Sequence, residues 1–78
     1  MNEVRTRTGD YLLSIIPAEL SRLTPTGTCV ANELKSGEWI DLVRYSGSIR
    51  GLEADWWYTP KYQAVLCRRR DYVRLQSH

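Results

Sequence analysis

The fold is decided by residues 29–45, which read CVANELKSGEWIDLVRY. Residues 39–45 are rich in aromatic and β-branched types, which suit a pleated and half-buried strand. Residues 29–34 place polar side chains between short apolar ones, as a second strand would. Between them lies Ser36-Gly37, and glycine supplies the positive φ that a two-residue hairpin turn requires. The stretch therefore predicts a β-hairpin, which needs at least one further strand because a lone hairpin is marginally stable in water.

The segment before the hairpin is expected to be mostly peripheral. Residues 1–9 are polar and predict a flexible arm, or alternatively an added edge strand. Because proline belongs in the first turn of a helix, Pro17 predicts a short helix over residues 17–23. Residues 11–16 before it are expected to be extended or helical, and residues 24–27 read as a loop. Residues 10–78 are expected to form a single small β-barrel domain.

The segment after the hairpin predicts three more strands. Ser46-Gly47-Ser48 indicates a second turn. Residues 49–58 are ambiguous because of Gly51, but their aromatic end favours a strand that Thr59-Pro60 terminates. Residues 63–67 and 72–75 then predict two short strands around a tight charged turn at residues 68–71. The alternative is one helix over residues 60–76, with Thr59 as its N-cap.

The composition bounds the class of protein. A chain of 78 residues forms one domain with a small core, so its three tryptophans and five tyrosines matter for burial. Cys29 and Cys67 are too few for a disulfide scaffold, and we expect two buried free thiols, with a single disulfide as the alternative. No apolar stretch is long enough to span a bilayer and no secretory leader opens the sequence. We therefore expect a soluble, cytoplasmic protein without a membrane partner.

The charge is modest but unevenly distributed. The net charge is +2, yet the last segment carries Lys61, three consecutive arginines from Arg68 and also Arg74, against Asp71 alone. This pattern favours one localised anionic contact over general coating of nucleic acid.

The order of elements resembles a small five-stranded barrel of the SH3 or Sm type with a short N-terminal helix. Residues 30–37, VANELKSG, are similar to the first Sm motif, an apolar-spaced strand that ends in Leu-x-x-Gly. That family has a further glycine some residues later, where this chain has Leu42 and Val43. The fold class implied is a mainly β small barrel.

Within that class, the chain resembles the Rof family of Rho-binding antiterminators. Residues 33–38, ELKSGE, match the family's Glu-Leu-Lys-x-Gly-Glu strand, and residues 72–75 are comparable to its last strand. The family's Cys-Asp…Tyr-Asp signature is absent, with only Gly9-Asp10-Tyr11 in its place. The resemblance implies non-enzymatic binding of RNA or of a protein that handles nucleic acid.

The candidate binding residues are an aromatic run and a basic run. Trp56 and Tyr58 share one face of a strand and Trp57 takes the other, so all three cannot be in the core. Either one side packs in the core and the other lies on a neighbouring strand, or one side forms an exposed aromatic platform. Trp39 has the same ambiguity, and the core is favoured. Arginine suits phosphates and carboxylates, although such a run is also typical of a solvated turn. The predicted site comprises Trp56, Trp57, Tyr58, Lys61, Arg68, Arg69, Arg70 and Arg74.

An enzyme is not expected, and neither is a cofactor or a metal. The single histidine is His78, the last residue, and two distant cysteines make a poor zinc site. Three functions stay open: a module that contacts nucleic acid or the transcription and RNA machinery, a phage-type or mobile-element-type protein that inhibits or adapts a host protein, and a structural homo-oligomer subunit.

Overall fold

The protein is mainly β, with one five-stranded antiparallel sheet and two short helices. The structure, a computed structural model, describes residues 4–78. The strands, in chain order, are β1 (Tyr11–Ser14), β2 (Thr24–Glu33), β3 (Trp39–Ile49), β4 (Leu52–Thr59) and β5 (Ala64–Cys67). The helices are α1 (Pro17–Leu20) and α2 (Arg69–Gln76). The strands lie in the order β1-β5-β4-β3-β2, and β1 and β2 form the two edges.

The predicted hairpin is confirmed and its loop is one residue longer than expected. Glu33 pairs with Trp39, and the Leu34 N–H donates to the Glu38 carbonyl at 2.7 Å. The Gly37 N–H donates to the Leu34 carbonyl at 2.9 Å, and Gly37 has φ +95°. This is a three-residue loop that ends in a left-handed residue, so glycine is needed for the reason predicted.

The second turn lies later than predicted. Residues 46–48 are inside β3, and the chain reverses at Arg50-Gly51, where φ is +50° and +87°. Gly47 serves close packing, because a Cβ there would lie 2.9 Å from Leu23 Cδ2. A glycine inside a strand often marks such an approach of another part of the chain.

Arg50 is held in this turn by contacts with three distant parts of the chain. Its Nε donates to Glu19 Oε2 at 2.8 Å, and its Nη1 donates to the Leu75 carbonyl at 2.7 Å. Its Nη2 donates to the Ser14 carbonyl at 3.2 Å. The side chain thereby joins the β3–β4 turn to α1, to the end of β1 and to the last turn of α2.

Residues 24–27 were predicted to be a loop, and this prediction is wrong. They form the first part of β2, whose register shifts between Pro25 and Cys29 because of a bulge. Proline is tolerated here because β2 is an edge strand.

The short helix begins at Pro17 as predicted and ends earlier than predicted, at Leu20. Of the two alternatives for the residues before it, the extended one is present, as β1.

Of the two strands predicted over residues 63–75, one is present and the other is replaced by a helix. The expected strand over residues 63–67 is confirmed as β5, but residues 68–75 form α2 and its N-cap instead of a turn and a strand. The alternative of one helix over residues 60–76 is also wrong, because β5 occupies its first half. Tyr72 and Leu75 are buried together on α2, and the Tyr72 ring stacks on Tyr11 with centroids 4.9 Å apart. Burial three residues apart is the spacing of a helix, which places both side chains against the sheet.

The core consists of two clusters, which lie on the two faces of the sheet. One is covered by α2 and contains the aromatic residues; the other is smaller. The first cluster comprises Tyr11, Leu13, Ile15, Leu23, Ile49, Trp56, Tyr58, Val65, Cys67, Tyr72 and Leu75. The second comprises Leu12, Leu34, Ile40, Leu42 and Ala64.

The arm predicted over residues 1–9 is partly described. Residues 1–3 lie outside the described residues. Arg5 forms a bridge with Tyr11 of β1, and Thr6, fully buried, forms one with Leu34. Arg7 N–H donates to the Glu33 carbonyl at 3.0 Å. Residues 5–7 are therefore hydrogen-bonded to β1 at one edge of the sheet and to the end of β2 at the other edge. This arrangement is close to the alternative prediction, in which the arm adds an edge strand.

The two cysteines differ in environment, and both are free. Cys67 is buried as expected, and burial, with a smaller contribution from Asp71, raises the pKa of its thiol to about 12. Cys29 was expected to be buried and is exposed, because its side of the edge strand β2 has no covering layer.

Candidate functional site

Two of the predicted aromatic residues are part of the core. Trp56 is buried, and its indole N–H donates to the Gly47 carbonyl at 2.9 Å. Tyr58 is buried beside Tyr45, with the rings edge-to-face at 5.8 Å. Their shared face of β4 is the one that packs in the first cluster, as the alternation along a strand predicts.

Trp57 lies on the other face of β4 and is half-buried against the second cluster. The Arg44 guanidinium lies 5.9 Å from its ring centroid, at cation–π distance. The same guanidinium donates to Asp55 Oδ2 at 2.6 Å. The exposed part of the Trp57 ring is thus partly covered by a side chain of the protein itself.

Trp57 and Arg68 come together in one groove of about 290 Å³. The groove is also lined by three carboxylates, from Asp10, Asp55 and Asp71, and Arg68 Nη2 lies 3.1 Å from Asp71 Oδ2. Its lining is therefore of mixed charge, with more acidic than basic groups.

Lys61 lies at the opposite end of β5 from Arg68. Its ammonium pairs with Glu38, whose other carboxylate oxygen accepts a hydrogen bond from the Tyr62 hydroxyl. The contact with Lys61, and then that with Tyr62, lowers the pKa of Glu38, and the contact with Glu38 raises the pKa of Lys61. Lys61 is therefore already neutralised and lies apart from the other predicted basic residues.

The remaining predicted residues, Arg69, Arg70 and Arg74, lie together with Val73 on one exposed surface of α2. We call these four residues the arginine face. All four are exposed, Val73 by 51%. No carboxylate among residues 4–78 forms an ion pair with these three arginines, whereas Arg7, Arg44, Arg50 and Arg68 are all paired. The arginine face is the described surface where predicted basic residues stand together without compensating acids.

A second surface, which the site prediction missed, surrounds Trp39. This residue was expected in the core, but it is 63% exposed. The sequence contained a signal for this exposure. Ile40 and Leu42 are two residues apart and share one face of β3, so Trp39 lies on the other face. The Trp39 groove, about 170 Å³, is lined by Trp39, Ile40, Asp41, Thr59, Pro60 and Lys61.

Thr59 gives the Trp39 groove an unusual feature. The residue is fully buried, and its Oγ1 has no hydrogen-bond partner among the described residues. A buried hydroxyl without a partner is costly, and most such groups in proteins are satisfied.

Among residues 4–78, no group of three or more histidine, cysteine, aspartate or glutamate side chains is placed to hold a metal ion. In the same part of the chain, no helix is long and apolar enough to cross a membrane.

Comparison of the chain with protein-family models, with curated proteins and with solved structures finds no match.

Proposed function

We propose that this protein is a non-enzymatic, cytoplasmic binding module that contacts the phosphate backbone of nucleic acid through the arginine face of α2. The proposal rests on one observation: three exposed arginines on one short helix have no acidic partner among residues 4–78. The guanidinium fork matches phosphate oxygens in a bidentate manner, and Val73 offers an apolar contact between the arginines.

Some charges of α2 oppose the helix, although Asp71 in its first turn and Arg74 in its last turn suit the helix dipole. Arg69 and Arg70 occupy the first turn of α2, where the helix dipole favours anions. Arg70 and Arg74 are four residues apart, a spacing at which like charges repel. A bound polyanion would reduce both effects.

The groove beside Trp57 is not part of the proposed surface. Asp10, Asp55 and Asp71 line it, and their carboxylates repel phosphate. Trp56 and Tyr58 are omitted because they are buried.

The closure of the sheet into a barrel is part of the same proposal. Residues 5–7 bond to β1 on one side and to the end of β2 on the other, which supports a small closed barrel of the SH3 or Sm type. The sheet would then hold α2 as a rigid support for its arginines.

The test is a charge reversal with a matched control. The double variant Arg70→Glu/Arg74→Glu alters the arginine face, and Arg22→Glu/Lys35→Glu makes the same change in net charge at exposed sites elsewhere. Binding of labelled single-stranded RNA and DNA is followed by fluorescence anisotropy over a salt series. We expect the wild type and the control to bind with steep salt dependence, and the α2 variant to bind more weakly with a slope reduced by about 2. Absence of wild-type binding, or an equal loss in the control, would overturn the proposal.

Binding of a protein is the second candidate function, and the Trp39 groove favours it. An exposed tryptophan beside Pro60 suits an apolar side chain of another protein. Trp39→Ala should abolish capture of a specific protein from nuclease-treated lysate, whereas Ile16→Ala, at a residue 60% exposed, should not. Equal capture by both variants and the wild type would contradict this function.

A further inference from the structure

The outer edge of β2 is open over a short and well-defined stretch. Its end is covered, because the Arg7 N–H donates to the Glu33 carbonyl. In the part of the chain that the structure describes, no strand pairs with this edge before Glu33. Pro25 and the bulge before Cys29 interrupt the other end. The open edge is therefore residues 29–32.

The alternation of the ladder identifies the free backbone groups. Along an antiparallel strand, the N–H and C=O of successive residues point to opposite sides. Since the Glu33 carbonyl points outward to Arg7, the backbone groups of Ala31 and Cys29 point outward as well. These two residues offer two donors and two acceptors to a strand that lies alongside.

The side chains of this edge lack the usual protection. Edge strands generally carry charges that prevent pairing with another chain. Residues 24–32 contain no charged side chain. Val30 is 43% exposed, and its neighbour on β3 is the buried Leu42.

We propose that β2 pairs antiparallel with β2 of a second copy of this chain, about a two-fold axis at Val30. Cys29 of each copy then exchanges two hydrogen bonds with Ala31 of the other. On one face, a single apolar row crosses the interface between the copies. It runs from Leu42 to Val30 of one copy and then from Val30 to Leu42 of the other. On the other face, Cys29 and Ala31 are small and uncharged, so no like charges are opposed.

The free groups select this register. A Cys29-centred register would pair Ala31 with the bulge at residues 26–28, and an Ala31-centred register would pair Cys29 with Glu33, whose carbonyl is already bonded to Arg7. The register centred on Val30 uses only free groups. A second copy also fits better than an unrelated strand, because the Val30 row is complementary to itself.

The expected dimer is weak and concentration-dependent. Pairing over four residues buries less than the roughly 1,200 Å² at the lower limit of stable interfaces. The inference is independent of the proposed binding to nucleic acid, since β2 and α2 are separate surfaces.

Cross-linking tests the register directly. Cα atoms of a non-hydrogen-bonded pair lie about 4.5 Å apart, within the range that a disulfide spans. Under mild oxidation, Cys29→Ser/Val30→Cys should give a disulfide-linked dimer. The control, Cys29→Ser/Ser36→Cys, places an exposed thiol in the hairpin loop and should stay monomeric. Equal cross-linking of the two variants would overturn the proposed register.

Sedimentation equilibrium tests the association itself. Wild type should dimerise reversibly, and Val30→Lys should raise the dissociation constant by about tenfold or more. Ala31→Pro removes an outward N–H without breaking the β2–β3 ladder and should act likewise. Circular dichroism should show that both variants remain folded, and Val30→Lys suffices if Ala31→Pro does not fold. A wild type that stays monomeric at millimolar concentration, with no cross-link through Val30→Cys, would overturn the proposal and leave the edge to a strand of another protein.

Discussion

At the scale of single residues, the pair formed by Glu19 and Arg50 stabilises the junction of α1, α2 and the β3–β4 turn. Both side chains are largely shielded, with exposures of 14% and 22%. Arg50 also holds a left-handed backbone conformation that a residue with a side chain rarely adopts. The Glu19 contact is one of those that compensate for this strain.

Glu19→Gln is therefore expected to lower the free energy of unfolding by about 1–3 kcal/mol at neutral pH. The hydrogen bond with Arg50 lowers the pKa of Glu19 below its ordinary value of 4.5 in the folded state. Its contribution is thus fully present above the unfolded pKa and is lost as pH falls through the folded pKa. Urea denaturation should show a larger difference from wild type at about pH 7 than at about pH 3.

Glu53→Gln is the control for this prediction, because Glu53 is exposed and forms no ion pair with any residue of the range 4–78. It should leave unfolding unchanged at both pH values. A Glu19→Gln protein as stable as wild type at neutral pH would contradict the role of the pair.

At the scale of elements, α2 is the one whose type was mispredicted, and its two faces differ in burial. Leu75→Ala should lower the free energy of unfolding by about 2–5 kcal/mol, because Leu75 is fully buried. Val73→Ala should change it by no more than about 0.5 kcal/mol, since Val73 is exposed. Chemical denaturation measures both. In a strand these two residues would share a face, so equal losses would contradict the helix.

The elements differ in how far the sequence determines them. The hairpin was predictable because Gly37 and the alternation around it are local signals, and Pro17 marked the start of α1 in the same way. Residues 72–75 were not, because four apolar and basic residues fit either period and the choice depends on Tyr11 packing against Tyr72. Gly47 imitates a turn residue although its role is contact with Leu23.

The candidate site was predictable only in part. The arginines were evident from composition, and burial of one side of the Trp56-Trp57-Tyr58 run followed from strand alternation. Arg68 is paired with Asp71, whereas the next two arginines are not paired with a carboxylate of residues 4–78. This difference depends on where α2 begins, which the local sequence pattern did not predict.

At the scale of the whole molecule, residues 5–7 connect the two edges of the sheet. Arg7→Pro removes the N–H that bonds to the Glu33 carbonyl, and Arg7→Ala is its control, because it removes only the exposed ion pair with Glu33. We expect Arg7→Pro to be less stable than Arg7→Ala by about 1–2 kcal/mol in urea denaturation. Hydrogen exchange of the Lys35 amide, which bonds to the Arg5 carbonyl, should accelerate in Arg7→Pro alone. Equal behaviour of the two variants would show that the connection does not stabilise the sheet.

The pairing of β1 with β5 has a consequence for how the protein is made. Tyr11 is opposite Cys67, so β1 pairs with β5, the last of the five strands in residues 4–78. During synthesis, the β2–β3–β4 meander can form from neighbouring residues, while β1 must wait until β5 and α2 have left the ribosome. Contacts between residues so distant in sequence form slowly, because loop closure precedes any gain from them. Until then the nascent chain exposes the strand edges that β1 and β5 will cover, and it is most vulnerable to aggregation in that interval.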